Sequence, residues 1–105
     1  MIKLVGLMNL KEGVDVEEFE RHYAEVHVPL AKRLPGIKKY TRSLVRQGKR
    51  RKAPFYRMGE AYFEDEAALK RCFESPEYKA VFEDGQKLFA ATEYIEFICY
   101  EEEVF

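Results

Sequence analysis

Residues 14–36, GVDVEEFERHYAEVHVPLAKRLPG with Gly13 in front, constrain this chain more than any other stretch. Asp15 is placed to accept a hydrogen bond from the amide of Glu18, whose side chain can reach back: a capping box with Asp as its first member. Val14 and Phe19 occupy the positions of a hydrophobic staple. Phe19, Tyr23, Val26, Leu30 and Leu34 follow at intervals of three or four. At about 100° per residue they share one stripe roughly 80° wide, so the stretch predicts a helix with one buried side. On that wheel His27 lies at one margin of the stripe and His22 beyond the other. Pro29 lacks the amide that would bond the Glu25 carbonyl, and it disfavours helical angles at Val28. The helix should therefore bend beside His27, and Pro35–Gly36 should end it.

The remaining elements arrange themselves around this helix. Residues 2–10 read as a strand apolar on both faces, with Ile2, Leu4, Met8 and Leu10 on one and Val5 and Leu7 on the other, as a central strand requires. Asn9 is the polar exception. Residues 37–45 and 55–63 read as two more strands, joined by an exposed loop that carries Arg46, Lys49, Arg50, Arg51 and Lys52. In the second strand Tyr40, Arg42 and Leu44 point one way. In the third, Tyr56, Met58, Glu60 and Tyr62 lie opposite Phe55, Arg57, Gly59, Ala61 and Phe63. Gly59 marks a close approach by another element. Asp65 caps a helix whose inner side is Ala68, Leu69, Cys72 and Phe73. Ser75–Pro76 starts another, whose stripe of Tyr78, Val81 and Phe82 continues past Gly85 in Leu88 and Phe89. Residues 92–100 form the last strand.

The order strand, helix, strand, strand, helix, strand packs as a ferredoxin-like α+β fold, βαββαβ, with a four-stranded antiparallel sheet and helices on one side. At 105 residues it is one domain, spanning residues 1–105. The uncovered face would carry residues such as Leu44, Met58 or Ile98, and a second copy of the chain would bury them, making a homodimer.

Several function classes drop out. The formal net charge of −1 gives no reason to expect nucleic acid or an anionic membrane as partner. No apolar run approaches a membrane span, and no leader precedes the first strand, so a cytoplasmic protein is expected. Two cysteines, Cys72 and Cys99, make neither a disulfide framework nor a metal cluster, and both read as inert thiols. The two histidines, five apart, fall about 140° from one another on an α-helix, which argues against a metal site. The basic loop 46–52 admits a phosphate or RNA reading, but a solvated hairpin loop explains it as well, and strand three lacks the glycine–aromatic pattern of an RNA platform.

Two segments resemble the EthD family: FERHYAEVHVPLAKRLPGIKKY, with its aromatic-rich helix, His-Val-Pro-Leu and Pro-Gly, and AYFEDEAALKRCFESPEY, with its aromatic pair and Ser-Pro restart. That resemblance implies a dimeric α/β barrel, in which two ferredoxin-like sheets face each other around a ligand pocket. The wider group includes cofactor-independent monooxygenases, polyketide cyclases, lactone isomerases and haem-degrading or haem-binding proteins. It implies binding of an apolar, oxygenated, cyclic or aromatic metabolite, with an oxidoreductase that needs no cofactor as first choice. An isomerase or cyclase, and an accessory binding protein (haem included), stand as alternatives.

His27 matches the family's helix-one histidine and is the first candidate for catalysis, since a neutral imidazole suits proton transfer near neutrality. The competing reading has its ring tie up a carbonyl freed by Pro29. Tyr40 and Arg42 would hold a developing negative charge if their face lines the cavity, or anchor the dimer if it does not. Asn9, Tyr23, Glu60 and Tyr62 are the candidate ligand contacts.

Overall fold

In the computed structural model, which describes residues 1–105 apart from the side chains of Phe89, Tyr94 and Ile95, the chain forms one four-stranded sheet with helices on one face. The strands are β1 (Ile2–Leu10), β2 (Ile37–Leu44), β3 (Arg57–Phe63) and β4 (Thr92–Glu101), in the order β2-β3-β1-β4 and antiparallel at every pairing. This is the ferredoxin-like arrangement. β1 is central, which is why both of its faces are apolar: Met8 is buried toward the helices and Val5 on the opposite face.

Register decides which side chains meet. Leu4, Gly6 and Met8 pair with Ala61, Gly59 and Arg57, and Ala61 and Gly59 pair in turn with Tyr40 and Arg42. All of these belong to the helix side. Val5 pairs with Glu60 and Ile98, and Leu7 with Met58, so Glu60, Met58, Tyr62 and Ile98 belong to the outward face. Leu44 stands opposite Arg57 and goes with the helix side, exposed at the edge. Tyr56 departs from the expected alternation. β3 begins at Arg57, two residues later than expected, and Tyr56 packs against Phe19 on the helix side, as Arg57 does against Glu20.

The first helix starts as its sequence dictates: α1 (Val16–His22) is capped by Asp15, whose carboxylate accepts from the Glu18 amide. It does not continue as one α-helix. Tyr23–His27 is a π turn, in which the Val28 amide bonds the Tyr23 carbonyl five residues back, and α2 (Val28–Ala31) follows. Proline produces this: without an amide at Pro29 the ladder loses a rung, and one extra residue in the turn absorbs the misfit. Val28 keeps helical angles (φ −58°, ψ −47°) despite preceding the proline. The extra residue also rotates the stripe. Phe19, Tyr23, Ala31 and Leu34 are buried, whereas Val26 is 41% exposed.

The helix stops at Ala31, ahead of Pro35, and Leu34–Ile37 makes a type II turn. Ile37 donates to the Leu34 carbonyl, Pro35 leads, and Gly36 takes the positive φ of 78° that such a turn needs. Asp65 caps α3 (Glu66–Phe73) through the Ala68 amide, and the Ser75 hydroxyl caps α4 (Pro76–Ala90) through the Tyr78 amide. α4 runs unbroken through Gly85; the Phe89 side chain expected on its stripe lies outside the described residues. The loop 46–52 is exposed throughout. No described helix is long and apolar enough to cross a membrane.

Two apolar clusters hold the layers together. Leu34, Ala61, Phe63, Ala68, Leu69 and Cys72 form one, and Met8, Phe19, Tyr23 and Leu88 the other. Between them the sheet and helices do not quite meet.

Candidate active site

That gap is a cavity of about 330 Å³, floored by Leu4, Gly6, Met8, Gly59 and Ala61 of the sheet and roofed by residues of α2, α3 and α4. Phe73, Phe82 and Phe97 line it and remain 40%, 51% and 55% exposed, so aromatic rings edge its mouth. The resemblance implies a pocket between two facing sheets of a dimer; within the single chain a cavity lies between the sheet and the helices. The reason is the small residues of the inner sheet face: Gly6, Gly59 and Ala61 cannot fill the space that β-branched residues would.

Four of the residues that line this apolar chamber carry polar side-chain groups: His27, Tyr23, Tyr40 and Tyr78. The hydroxyls of Tyr23 and Tyr40 lie 3.4 Å apart over Gly59, where an added Cβ would come within 2.7 Å of one and 3.5 Å of the other. Gly59 is therefore the close approach that its place in strand three implied. Burial raises the pKa of both tyrosines above the ordinary value, so both stay protonated and can donate. The Tyr23 ring is held edge-on by Phe19 and His27 and covered by the Arg42 guanidinium, 5.0 Å from its centroid.

His27 is oriented by a residue that the sequence reading passed over. Its Nδ1 lies 2.9 Å from Oδ2 of Asp84, and Nε2 of His22 lies 2.9 Å from Oδ1 of the same carboxylate. The wheel that separated the histidines by 140° fails here, because residues five apart are stacked one turn above another in a π turn. Asp84 occupies α4 between Val81 and Leu88, on the buried side, and is 6% exposed. A carboxylate at an apolar-stripe position requires a partner; that was the available signal. With Nδ1–H donated to Asp84, the ring of His27, which lines the cavity, keeps Nε2 as an acceptor. Burial lowers the proton affinity of His27 below the ordinary imidazole value, outweighing the opposing pull of Asp84, so the ring is neutral near pH 7.

The other candidates are not gathered here. Arg42 sits beside the site, bonded to Glu20 at 2.8 Å and stacked on Tyr23, without lining the cavity. Glu20 also receives Arg57 at 2.8 Å and the Tyr56 hydroxyl, forming a polar hub that ties α1 to β2 and β3. Burial alone would raise the Glu20 carboxyl, but Arg57, Tyr56 and Arg42 together hold it below the ordinary value. Glu60, Tyr62 and Asn9 lie on the outward face, away from His27. There Lys3 bridges Glu60 at 2.9 Å and Glu102 at 3.1 Å, and Lys3 and Lys39 flank the Tyr62 ring. Buried Cys72 has its thiol pushed up to about 11 by burial, with the Glu77 carboxylate adding to it, and is unreactive. Among the described residues no group of three or more His, Cys, Asp and Glu is arranged to hold a metal ion.

The comparisons fit this architecture. A model of the EthD domain matches residues 11–93. An EthD family protein of Bacillus halodurans superposes with a TM-score of 0.86 at 27% identity, covering 98% of this chain and 99% of that one. SnoaB, a cofactor-independent oxygenase of Streptomyces nogalater, shares the fold with a TM-score of 0.74 at 17% identity, over 99% and 94% of the two chains. An uncharacterised protein from the thcB–thcC intergenic region of Rhodococcus erythropolis is 30% identical over 63 residues, which are 60% of this chain and 61% of that relative's length. A capped first helix bearing His27, a Ser-Pro restart and a family model spanning most of the sequence agree: this chain belongs to the EthD family.

Proposed function

We propose that this protein binds a small, apolar, oxygenated metabolite, cyclic or aromatic, in the cavity between sheet and helices, and that His27 removes a proton from it. One observation carries the reading: an imidazole fixed through Nδ1 by a buried carboxylate at 2.9 Å lines an apolar chamber. The anion left behind needs a hydrogen-bond donor, and the protonated hydroxyls of Tyr40 and Tyr23 stand in the same chamber. A cavity of about 330 Å³ is at the lower end of small-molecule sites, which suits a ligand of one to three rings. The aromatic edges at the mouth favour a flat one.

The oxidoreductase form of the reaction has the electron-rich anion react with O2. A substrate CH2 becomes C=O; one oxygen atom enters the product and the other leaves as water with the two hydrogens. This needs no cofactor, and SnoaB lends it support by shared fold. The same proton transfer without O2 would isomerise or cyclise the substrate. Phenols and 1,3-dicarbonyl compounds of one to three rings, incubated with the protein in an oxygen electrode, separate the two. Uptake of O2 matching product supports oxygenation, and conversion without uptake supports rearrangement. We expect His27→Ala to lower turnover at least about 100-fold. Turnover unchanged in that variant removes His27 from the mechanism.

A homodimer belongs to this proposal. On the outward face Leu7, Met58 and Ile98 are half-buried and Tyr100 is exposed, and a second copy would cover them. Glu60, Tyr62 and Asn9 would then serve the interface instead of the ligand.

A further inference from the structure

His22 and His27 belong to different spaces. His27 lines the apolar cavity, whereas His22 lines an open groove between α1 and the end of α4, with Val14, Asp15, Glu18 and Lys87 around it. The His22 side chain is 29% exposed and the His27 side chain 13%. Asp84 is the partition between them, with one oxygen committed to each ring at 2.9 Å. We propose that His22 is a positioning residue for His27, acting through Asp84: from the solvent side it holds one carboxylate oxygen and limits how much of the negative charge His27 receives. This rests on the reading of His27 as the base.

The physical argument follows from donors and acceptors. A carboxylate that accepts two N–H bonds divides its charge between them, so each donor weakens what the other gains. Repulsion from the His22 ring acts on His27 in the same direction as burial does.

Few other groups compete. Tyr23 meets the His27 ring edge-on at 5.6 Å, and the Tyr40 hydroxyl lies beyond it. The lining residues from β1, β3 and β4 (Leu4, Gly6, Met8, Gly59, Ala61 and Phe97) are uncharged. On the other side, Asp15, Glu18 and Lys87 face the groove that His22 lines. The arrangement gives the solvent-side groove a say in the strength of a base enclosed among apolar side chains.

The ring nitrogens can be followed directly by NMR of 15N-histidine-labelled protein, without any substrate. In His22→Phe, which removes the donor to Asp84, the His27 midpoint should rise by about half a pH unit or more. His22→Gln keeps an N–H for Oδ1, so it should give a smaller rise, and it carries the test if the Phe variant fails to fold. A His27 midpoint and tautomer identical in all three proteins would overturn the proposal. A raised midpoint together with full turnover in His27→Ala would instead remove the catalytic reading and leave the coupling in place.

Discussion

Replacing Gly59 by alanine probes the site through a single methyl group. Its Cβ would stand 2.7 Å from the Tyr23 hydroxyl, about 0.7 Å inside the 3.4 Å at which ordinary contact begins. The hydroxyl cannot simply swing away. Tyr23 is 2% exposed, wedged between Phe19 and His27, with Arg42 over its face. Either the first helix lifts off the sheet or the tyrosine leaves its rotamer, and overpacking of this kind costs about 1–3 kcal/mol. For a domain of this size that lowers Tm by roughly 4–8 °C per kcal/mol. Tyr23→Phe removes the clashing oxygen at the cost of a long, weak hydrogen bond to Tyr40, about 0.5–1 kcal/mol. The double variant should therefore be more stable than the sum of the single changes predicts, by about 1 kcal/mol or more. Urea titrations of the four proteins measure this coupling. Strict additivity, or a Gly59→Ala protein as stable as its parent, would refute the claim that the bare glycine backbone makes room for the hydroxyl pair.

Other consequences follow from the same geometry. Because burial holds His27 below its ordinary pKa of 6.5, the unfolded chain binds more protons than the folded one in the window beneath that value. Stability should thus fall as pH drops from 7 toward 5, and His27→Gln should flatten that slope in urea midpoints taken at each pH. Glu20→Ala leaves Arg42, Arg57 and Tyr56 without their common acceptor; partial hydration limits the loss to about 1–2 kcal/mol. The near-UV circular dichroism of Tyr23 should change with it, and an unaltered spectrum would count against the hub. Sedimentation equilibrium should give twice the chain mass, and Ile98→Glu, on the outward face, should give a monomer.

How much of this was written in the sequence differs between fold and site. Strand β1 was legible from its two apolar faces, and the Asp15 and Asp65 caps, the Ser75–Pro76 start and the Pro35–Gly36 turn because each rests on interactions within a few residues. The pairing of Tyr40 with the helix side and of Glu60 and Tyr62 with the outward face was not. Alternation says which residues share a face, but only the register of four strands says which face meets the helices. Asp84 escaped because helical periodicity was read from apolar residues alone, and a buried acid interrupts that pattern. The π turn escaped for a different reason: a wheel of fixed angle cannot register one additional residue, although Pro29 announced that something in the ladder must yield.

That additional residue turns chain length into a specification. The second imidazole comes five residues after the first, and only a widened loop of helix brings position six back above position one. Wind the same residues as a regular α-helix and both histidines survive in the composition while facing about 140° apart, so that one carboxylate can no longer serve them. Whether another member of the family owns this trio is accordingly a question of spacing before it is one of identity.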